Sequence, residues 1–249
     1  MTTETRDRSS GSRADAAIAV VTFDLDGTLV DTAGEIAEAV NRTLLDFHIA
    51  AVPQPQIEAL IGAGAHELMR RLLEQIDPEN ALDRSAVYAR FEAHYADTAG
   101  TVGTVYPGAL ACLEALRGDW VRLACVTNKE ARYAQRVLAA SGLDSQFELV
   151  IGGDTLAWKK PDARVLMHVL GVFNCKPLHA AHVGDSWTDL QAARHAGVAD
   201  WAVPWGYNAG RPVADDAPDR LFHSLPQIAD FVLEGRRPGS IGNSHFASG

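Results

Sequence analysis

The chain has 249 residues, of which 47% are apolar and 22% charged, so it can bury a sizeable core in one or two domains. Its formal net charge is -10, which argues against nucleic acid or an anionic membrane as the main partner, because both bind basic surfaces. No apolar run approaches the ~18 residues of a membrane helix. We therefore expect no nucleic-acid partner and no membrane partner, and the composition predicts no particular oligomeric state.

The cysteines and the two ends of the chain indicate a cytoplasmic protein. Cys112, Cys125 and Cys175 are scattered and form no C-x-x-C pair, which favours reduced thiols over a disulfide framework or a zinc site. The N-terminus has no apolar segment of the kind that a secretory signal requires. Residues 1–17 and 235–249 are polar or rich in Gly and Ser, and we expect them to be disordered tails.

The first predicted element is a buried strand at residues 18–23, which are almost all apolar and largely β-branched. From Ala33 to about Asp97 the apolar residues recur at helical spacing, punctuated by Pro and Gly, and no strand is predicted. This pattern predicts an all-helical cap subdomain over residues 33–103, inserted after the first strand.

Beyond the helical block, strands and helices alternate, which predicts a parallel sheet with helices on both faces. Strands are predicted at 120–128, 148–154, 180–185 and 200–205. Helices are predicted over 107–116, 130–140 and 162–170, with a further helix that ends at His195. The helix over 162–170 is expected to stop at Gly171. The fold class is therefore α/β, a doubly wound parallel sheet formed by residues 18–32 and 104–234, with the cap as an insertion.

Polar side chains follow the predicted strands, at the carboxyl ends where open parallel sheets bind ligands. They are Asp24 and Asp26 after the first strand, Thr127 and Asn128 after the second, Lys159 and Lys160 after the third, and Asp185 and Asp189 after the fourth. Each group has a structural alternative, as a turn, a helix cap or a solvated lysine pair. Two carboxylates one residue apart repel each other, so a cation is expected between Asp24 and Asp26. The shared position of all four groups favours a single site.

Four motifs carry a resemblance to a known family. They read D-L-D-G-T (24–28), V-T-N (126–128), K-K-P (159–161) and V-G-D-S-W-T-D (183–189). In this order they resemble the motifs of the haloacid dehalogenase-like (HAD) superfamily, whose core is Rossmann-like. The segments I-G-A-G-A-H-E-L-M-R-R-L (61–72) and W-G-Y-N-A-G (205–210) resemble its phosphoglycolate phosphatase-like branch. The resemblance spans about residues 18–234. The chain has K-P-D-A at 160–163 where the branch has K-P-x-P, so we expect the following helix to be roughly a turn shorter.

The resemblance implies a role for each carboxylate. Asp24 is expected to be the nucleophile that forms an aspartyl-phosphate, and also a metal ligand. Asp26 is expected to bind the metal through its backbone carbonyl, while its side chain protonates the leaving alcohol and later activates water. Asp185 is expected to complete the metal site. The expected ion is Mg²⁺, which prefers oxygen ligands.

The remaining motif residues are expected to hold the phosphate. The resemblance gives this task to the Thr127 hydroxyl, the Asn128 backbone N–H and the Lys160 ammonium. Lys160 is preferred to Lys159 because the Lys-Pro junction matches the family. Asp189 is expected to support the site from behind, or else to be an acidic residue at a helix N-terminus.

Substrate specificity is expected to come from the cap. Gly64 and His66 are the candidate contacts, with Arg70 and Arg71 nearby; the alternative is that these side chains are simply solvated. The predicted activity is Mg²⁺-dependent hydrolysis of a small phosphomonoester, with 2-phosphoglycolate favoured. Alternatives are a phosphatase of sugar or amino-sugar phosphates and a sugar phosphomutase. A dehalogenase is disfavoured because it has no use for Asp26, and a non-catalytic binding protein because every carboxylate is present.

Overall fold

The structure is a computed structural model that describes residues 17–236, so the predicted tails at 1–17 and 235–249 lie almost entirely outside the described residues. Its strands are β1 (Val20–Phe23), β2 (Val30–Asp31), β3 (Thr104–Val105), β4 (Arg122–Val126), β5 (Leu149–Ile151), β6 (Ala180–Gly184), β7 (Ala199–Ala202) and β8 (Arg220–Leu221). Its α-helices are α1 (Ala33–Asp46), α2 (Gln54–Glu58), α3 (Ala65–Ile76), α4 (Arg84–Thr98), α5 (Ala109–Gly118), α6 (Ala131–Ala140), α7 (Arg164–Phe173), α8 (Trp187–Ala196) and α9 (Leu225–Arg236).

Six strands form one parallel sheet in the order β5-β4-β1-β6-β7-β8, which confirms the predicted fold class. The central strand β1 is buried along its whole length because it has a neighbour on both edges and helices on both faces. In the register of the sheet, Phe23 lies beside Cys125 on one side and Val183 on the other. The residues that follow these three positions therefore meet at one edge of the sheet.

Alternate residues of the strands face two separate hydrophobic clusters. Val21 and Phe23 pack with residues of α5, α6 and α9, whereas Val20 packs with residues of α7 and α8. This two-faced burial explains why the strands read as nearly continuous apolar runs rather than as an apolar–polar alternation.

Helices α1 to α4 enclose a hydrophobic cluster of their own, centred on residues such as Leu44, Met69 and Phe91. The chain leaves the sheet through β2 and returns through β3, and these two short strands pair antiparallel, with Val30 opposite Val105. Neither strand was predicted, because a two-residue strand is too short to show an alternating pattern. The helical segment is thus joined to the sheet by a narrow two-stranded connection.

Several predicted boundaries were wrong. The helix after Lys160 does not stop at Gly171 but runs through it to Phe173 and ends at Asn174, whose φ is 49°. The additional turn is stabilised because Leu170 and Phe173 are buried. Asn tolerates the left-handed conformation at a helix end. The predicted strands at 120–128, 148–154 and 200–205 are shorter in the structure, because their last residues form the loops that carry the polar side chains.

The described residues contain no long apolar helix of the kind that crosses a bilayer. Cys112 and Cys125 are buried and Cys175 is partly buried, and all three are free thiols. Burial raises the pKa of the Cys112 thiol to about 12, so this side chain behaves as a small apolar group of the core.

Candidate active site

The polar residues of the predicted site converge at the carboxyl edge of the sheet. Asp24 directly follows β1, and Asp185 directly follows β6, its neighbour in the sheet. One carboxylate oxygen from each of Asp24, Asp185 and Asp189 lies within 4.8 Å of the others, and all three residues are buried. Residues more than 160 positions apart thus form one acidic cluster, as the parallel topology requires.

Lys160 supplies the positive charge of this cluster. Its side chain is only 1% exposed, and its Nζ lies 2.9 Å from Asp24 Oδ1 and 2.6 Å from Asp189 Oδ1. The neighbouring Lys159 is exposed and instead donates a hydrogen bond of 2.8 Å to the carbonyl of Ala63 in the helical segment. The two adjacent lysines therefore have different environments, one inside the site and one at its rim.

Asp189 has both carboxylate oxygens occupied by protein donors. Its Oδ1 accepts from Lys160 and lies 3.1 Å from His182 Nε2, while Oδ2 accepts from the backbone N–H and the hydroxyl of Ser186. With Ser186 it forms a capping box at the start of α8. Asp189 thus fits both alternatives left open by the sequence, since it caps a helix and also holds Lys160.

The Asp185 carboxylate is held in a tight cradle. Its Oδ1 accepts a hydrogen bond of 3.0 Å from the Thr28 hydroxyl, and its Oδ2 accepts from the backbone N–H of Tyr207. A Cβ atom added to Gly27 or Gly206 would lie 2.6 or 2.2 Å from Asp185 Oδ2. Gly27 also has a φ of 81°, so at both positions only glycine fits beside this carboxylate.

Burial makes ionisation costly for two of the three carboxyl groups. It raises the pKa of Asp24 to about 7, although the Lys160 ammonium opposes the shift, and burial together with nearby Asp189 holds the pKa of Asp185 well above its usual range. For Asp189, burial is outweighed by Lys160 and His182, and its pKa lies below its usual range. A divalent cation beside Asp24 and Asp185 would remove this penalty, so the donor set suits a hard, oxygen-preferring ion.

Asp26 belongs to a second, largely buried group of charges that sequence reasoning missed. Its Oδ1 accepts hydrogen bonds of 2.7 Å from the Thr32 hydroxyl and 2.9 Å from Lys129 Nζ. The Lys129 side chain is 1% exposed and also lies 3.6 Å from Glu35 Oε1, while Glu35 Oε2 accepts from the backbone N–H of Gly100. This network links Asp26 to α1 and to the end of α4.

The sequence did carry a signal for these two residues. Lys129 directly follows the V-T-N motif, and Glu35 lies four residues before Ala39 on the same face of α1, where both are fully buried. Burial opposes the charge on Lys129, but Asp26, Tyr95 and Glu35 outweigh it and raise the pKa of its ammonium above the usual range. Lys129 is therefore a fixed cation inside the site.

A cavity of about 30 Å³ lies between the acidic cluster and the helical segment. From the sheet side it is lined by Asp24, Asp26, Thr127, Asn128, Lys129, Asp185, Ser186 and Tyr207. From the helical side it is lined by Ile36, Ile61, Gly62, Gly64, Ala65, Leu68 and Tyr95. The structure therefore brings Thr127 and Asn128 to the same cavity as the aspartates.

The loop before α3 is fastened over this cavity by hydrogen bonds from the core. Asn128 Nδ2 donates to the carbonyl of Gly62 at 3.0 Å, and Lys159 Nζ donates to the carbonyl of Ala63. Gly64 has a φ of 95°, and a Cβ there would lie 3.0 Å from the Asn128 carbonyl oxygen. The tight approach of this loop thus depends on glycine at position 64.

The other cap candidates lie away from this cavity. The His66 ring stacks on Tyr88 with centroids 4.9 Å apart, and its Nε2 lies 3.4 Å from Glu92. Arg70 and Arg71 both form ion pairs with Glu67 on the same helix, α3. Of these residues, Arg71 lines an adjoining cleft of about 270 Å³ between the helical segment and the core, together with Arg211, whereas His66 lines neither space.

The doubly wound sheet with an acidic cluster at its carboxyl edge defines the class of protein, an α/β enzyme whose site suits a divalent cation. A family model described as haloacid dehalogenase-like hydrolase matches residues 21–203. The chain therefore belongs to the haloacid dehalogenase-like hydrolases, which confirms the family prediction.

Individual relatives support this assignment over most of their length. The chain is 41% identical over 217 residues to a phosphoglycolate phosphatase of Cupriavidus necator, covering 87% of this chain and 94% of that protein. It is 40% identical over 218 residues to a phosphoglycolate phosphatase of Nitrosospira multiformis, with 86% and 96% covered. The crystal structure of a predicted phosphoglycolate phosphatase from Haemophilus somnus matches with a TM-score of 0.82 at 30% identity, covering 86% of this chain and 98% of that one.

Proposed function

We propose that this protein is a Mg²⁺-dependent phosphatase that hydrolyses 2-phosphoglycolate to glycolate and phosphate in the cytoplasm. The observation that carries the proposal is the buried group of Asp24, Asp185 and Lys160 at the carboxyl edge of the sheet, closed over by a helical segment. The names of the two bacterial relatives support 2-phosphoglycolate as the substrate.

Asp24 and Asp185 would hold the ion through their carboxylates, and Asp26 through its backbone carbonyl. Asp189 would not bind it directly, because both of its carboxylate oxygens already accept hydrogen bonds from the protein. When bound, Mg²⁺ neutralises the buried carboxylates and offsets the charge of the phosphate.

Asp24 acts as the nucleophile in this proposal. Its carboxylate oxygen forms a bond to phosphorus while the ester P–O bond breaks, and the departing alkoxide takes a proton from the Asp26 carboxyl group. A water molecule then gives its proton to the Asp26 carboxylate and attacks the phosphorus of the aspartyl-phosphate. Phosphate leaves, and both aspartates return to their initial states.

Lys160, Thr127 and Asn128 would hold the phosphate during both steps. Lys160 already neutralises Asp24 and Asp189, so its charge stands where negative charge accumulates on the transferring group. The Thr127 hydroxyl and the Asn128 backbone N–H would donate to the phosphate oxygens, and both residues line the cavity.

We propose that residues 33–103 act as a cap on the core formed by 18–32 and 104–234. The cavity lies between the core and the cap, so the cap would open to admit a phosphomonoester and close over it to exclude water. The loop that Asn128 and Lys159 fasten is the part that must release. Gly64 lines the cavity and His66 does not, so we propose Gly64 as the substrate contact from the cap.

The test is phosphate release with Mg²⁺ from 2-phosphoglycolate and from a panel of sugar and amino-sugar phosphates, compared by kcat/KM. We expect 2-phosphoglycolate to rank first without any bisphosphate activator, which also separates a phosphatase from a phosphomutase. A sugar phosphate that ranks far above it would refute the substrate assignment. Asp24→Asn is expected to abolish turnover of every phosphoester while the protein remains folded, and activity retained by this variant would refute the nucleophile assignment.

A further inference from the structure

The loop W-G-Y-N-A-G contains a tyrosine whose hydroxyl contacts the start of the cap. The Tyr207 hydroxyl oxygen accepts hydrogen bonds from the backbone N–H groups of Thr32 at 3.0 Å and Ala33 at 3.1 Å. It donates in turn to Asp31 Oδ1, which also accepts from the Ala33 N–H at 3.2 Å. These contacts join residues about 175 positions apart at the point where α1 begins.

The first turn of a helix has N–H groups without helical partners, which a side chain at the N-cap position commonly satisfies. Thr32 is the N-cap residue of α1, yet its side chain makes no capping hydrogen bond. Its hydroxyl instead donates to Asp26 Oδ1 at 2.7 Å. Tyr207 instead satisfies the N–H groups of Thr32 and Ala33, which the Thr32 side chain could not reach, and its own hydroxyl donates to Asp31.

The backbone of the same tyrosine contacts the acidic cluster. The Tyr207 N–H donates to Asp185 Oδ2, and Gly206 lets the loop approach that carboxylate closely. Tyr207 is 9% exposed, so both contacts lie inside the protein. One residue therefore connects a proposed metal ligand of the core to the first helix of the cap.

We propose that Tyr207 is a positioning residue for the proton transfer by Asp26. Its hydroxyl holds the backbone N–H groups of Thr32 and Ala33 at the start of α1, and the Thr32 residue fixed in this way orients the Asp26 carboxyl group with its own hydroxyl. The role of Asp26 in this inference rests on the proposed function, whereas the capping of α1 does not. Asp31, for which the sequence indicated only a turn or capping role, is the acceptor that orients the Tyr207 hydroxyl.

The test uses Tyr207→Phe in the full chain, because this change removes the hydroxyl and keeps both the ring and the backbone N–H. Turnover is measured with 2-phosphoglycolate, whose alkoxide leaving group needs a proton, and with p-nitrophenyl phosphate, whose leaving group does not. We expect kcat/KM, which reports only the steps up to departure of the leaving group and not the later hydrolysis of the aspartyl-phosphate, to fall ~10-fold or more on the first substrate and less than ~2-fold on the second. The Mg²⁺ concentration dependence is expected to stay unchanged. Tyr88→Phe is the matched control, because this half-buried tyrosine of α4 does not line the cavity.

A second measurement does not depend on activity. Amide hydrogen exchange at Thr32 is expected to become ~10-fold faster or more in Tyr207→Phe, because this buried N–H loses its acceptor. Ala33 is expected to respond less, since Asp31 remains as its second acceptor.

Three outcomes overturn the inference: equal loss on both substrates, which indicates a general packing effect; no loss on either; or unchanged exchange at Thr32. A wild-type protein that hydrolyses neither substrate would instead refute the proposed function. In that case the exchange measurement still decides whether Tyr207 caps α1.

Discussion

Lys160 and Asp189 form a fully buried ion pair, with Nζ 2.6 Å from Oδ1, and the same ammonium lies 2.9 Å from Asp24. Buried charges of this kind are costly to separate, because each one left alone keeps its desolvation penalty. The pair therefore sets the position of the lysine, while His182 and Ser186 set the position of the aspartate.

Lys160→Met removes the cation that Asp24 and Asp189 share. We expect a loss of activity of ~10³-fold or more and destabilisation by about 3–5 kcal/mol, because two buried carboxylates lose their partner. Lys159→Met is the matched control, since it removes only one exposed hydrogen bond to Ala63 and is expected to cost less than about 1 kcal/mol. Steady-state kinetics and thermal unfolding measure both. Greater damage from Lys159→Met would reverse the roles of the two lysines.

Lys129→Met leaves Asp26 and Glu35 without the cation that lies between them. We expect destabilisation by about 3 kcal/mol, since Lys129 and Glu35 are both nearly inaccessible to solvent. Lys129→Met alone leaves two carboxylates, Asp26 and Glu35, without a cation. The double variant Lys129→Met/Glu35→Met also removes the Glu35 carboxylate, so we expect it to be more stable than the single variant. Denaturant unfolding of the single and double variants checks the coupling, and strictly additive losses would contradict it.

Gly206→Ala places a Cβ 2.2 Å from Asp185 Oδ2, so the loop or the carboxylate must shift. Because Asp185 is a proposed metal ligand, we expect Mg²⁺ affinity to fall ~10- to 100-fold. Calorimetric titration with Mg²⁺ measures the change. Unaltered affinity would show that the close fit of Gly206 against Asp185 is not needed for Mg²⁺ binding.

Gly171→Ala is the matched control for that substitution. Gly171 lies inside α7, and a Cβ there meets nothing within 4 Å. Alanine in a helix interior is favoured over glycine, so this variant is expected to be more stable by about 0.5–1 kcal/mol with normal activity. A loss of stability would indicate that the helix does end at Gly171.

Asp200 provides a pH dependence far from the proposed metal ligands. Burial, together with the neighbouring carboxyl group of Asp219, raises its pKa from 3.8 to about 6, although Arg194 opposes the shift. The native state then binds more protons than the unfolded state between these values, so this group's stabilising contribution is complete below pH 3.8 and is lost as pH rises through 6. We expect Asp219→Asn to lower the pKa of Asp200, as followed by NMR titration of its carboxyl carbon. An unchanged pKa would show that Asp219 has no part in the shift.

Much of this protein follows from local sequence pattern. Short apolar runs, each followed by a polar pair, were sufficient to predict a parallel sheet and to place Asp24, Asp185 and Lys160 at one of its edges, because the carboxyl ends of parallel strands meet there. The helical spacing after Ala33 likewise predicted the insertion. These features could be predicted because strand and helix periodicity depends only on residues close together in the sequence.

Other features appeared only in the tertiary structure. Neither Lys129 nor Glu35 was predicted as a site residue, because only the tertiary structure shows that both are buried and lie next to each other. Tyr207 caps a helix about 175 residues away, and no local pattern predicts such a pairing. The helix through Gly171 was extended by burial of Phe173 against the sheet. The local pattern alone placed the motif residues at the carboxyl ends of the strands. Contacts between elements, which depend on how distant segments pack, established which further charges join the site and the partner of each charge and hydroxyl.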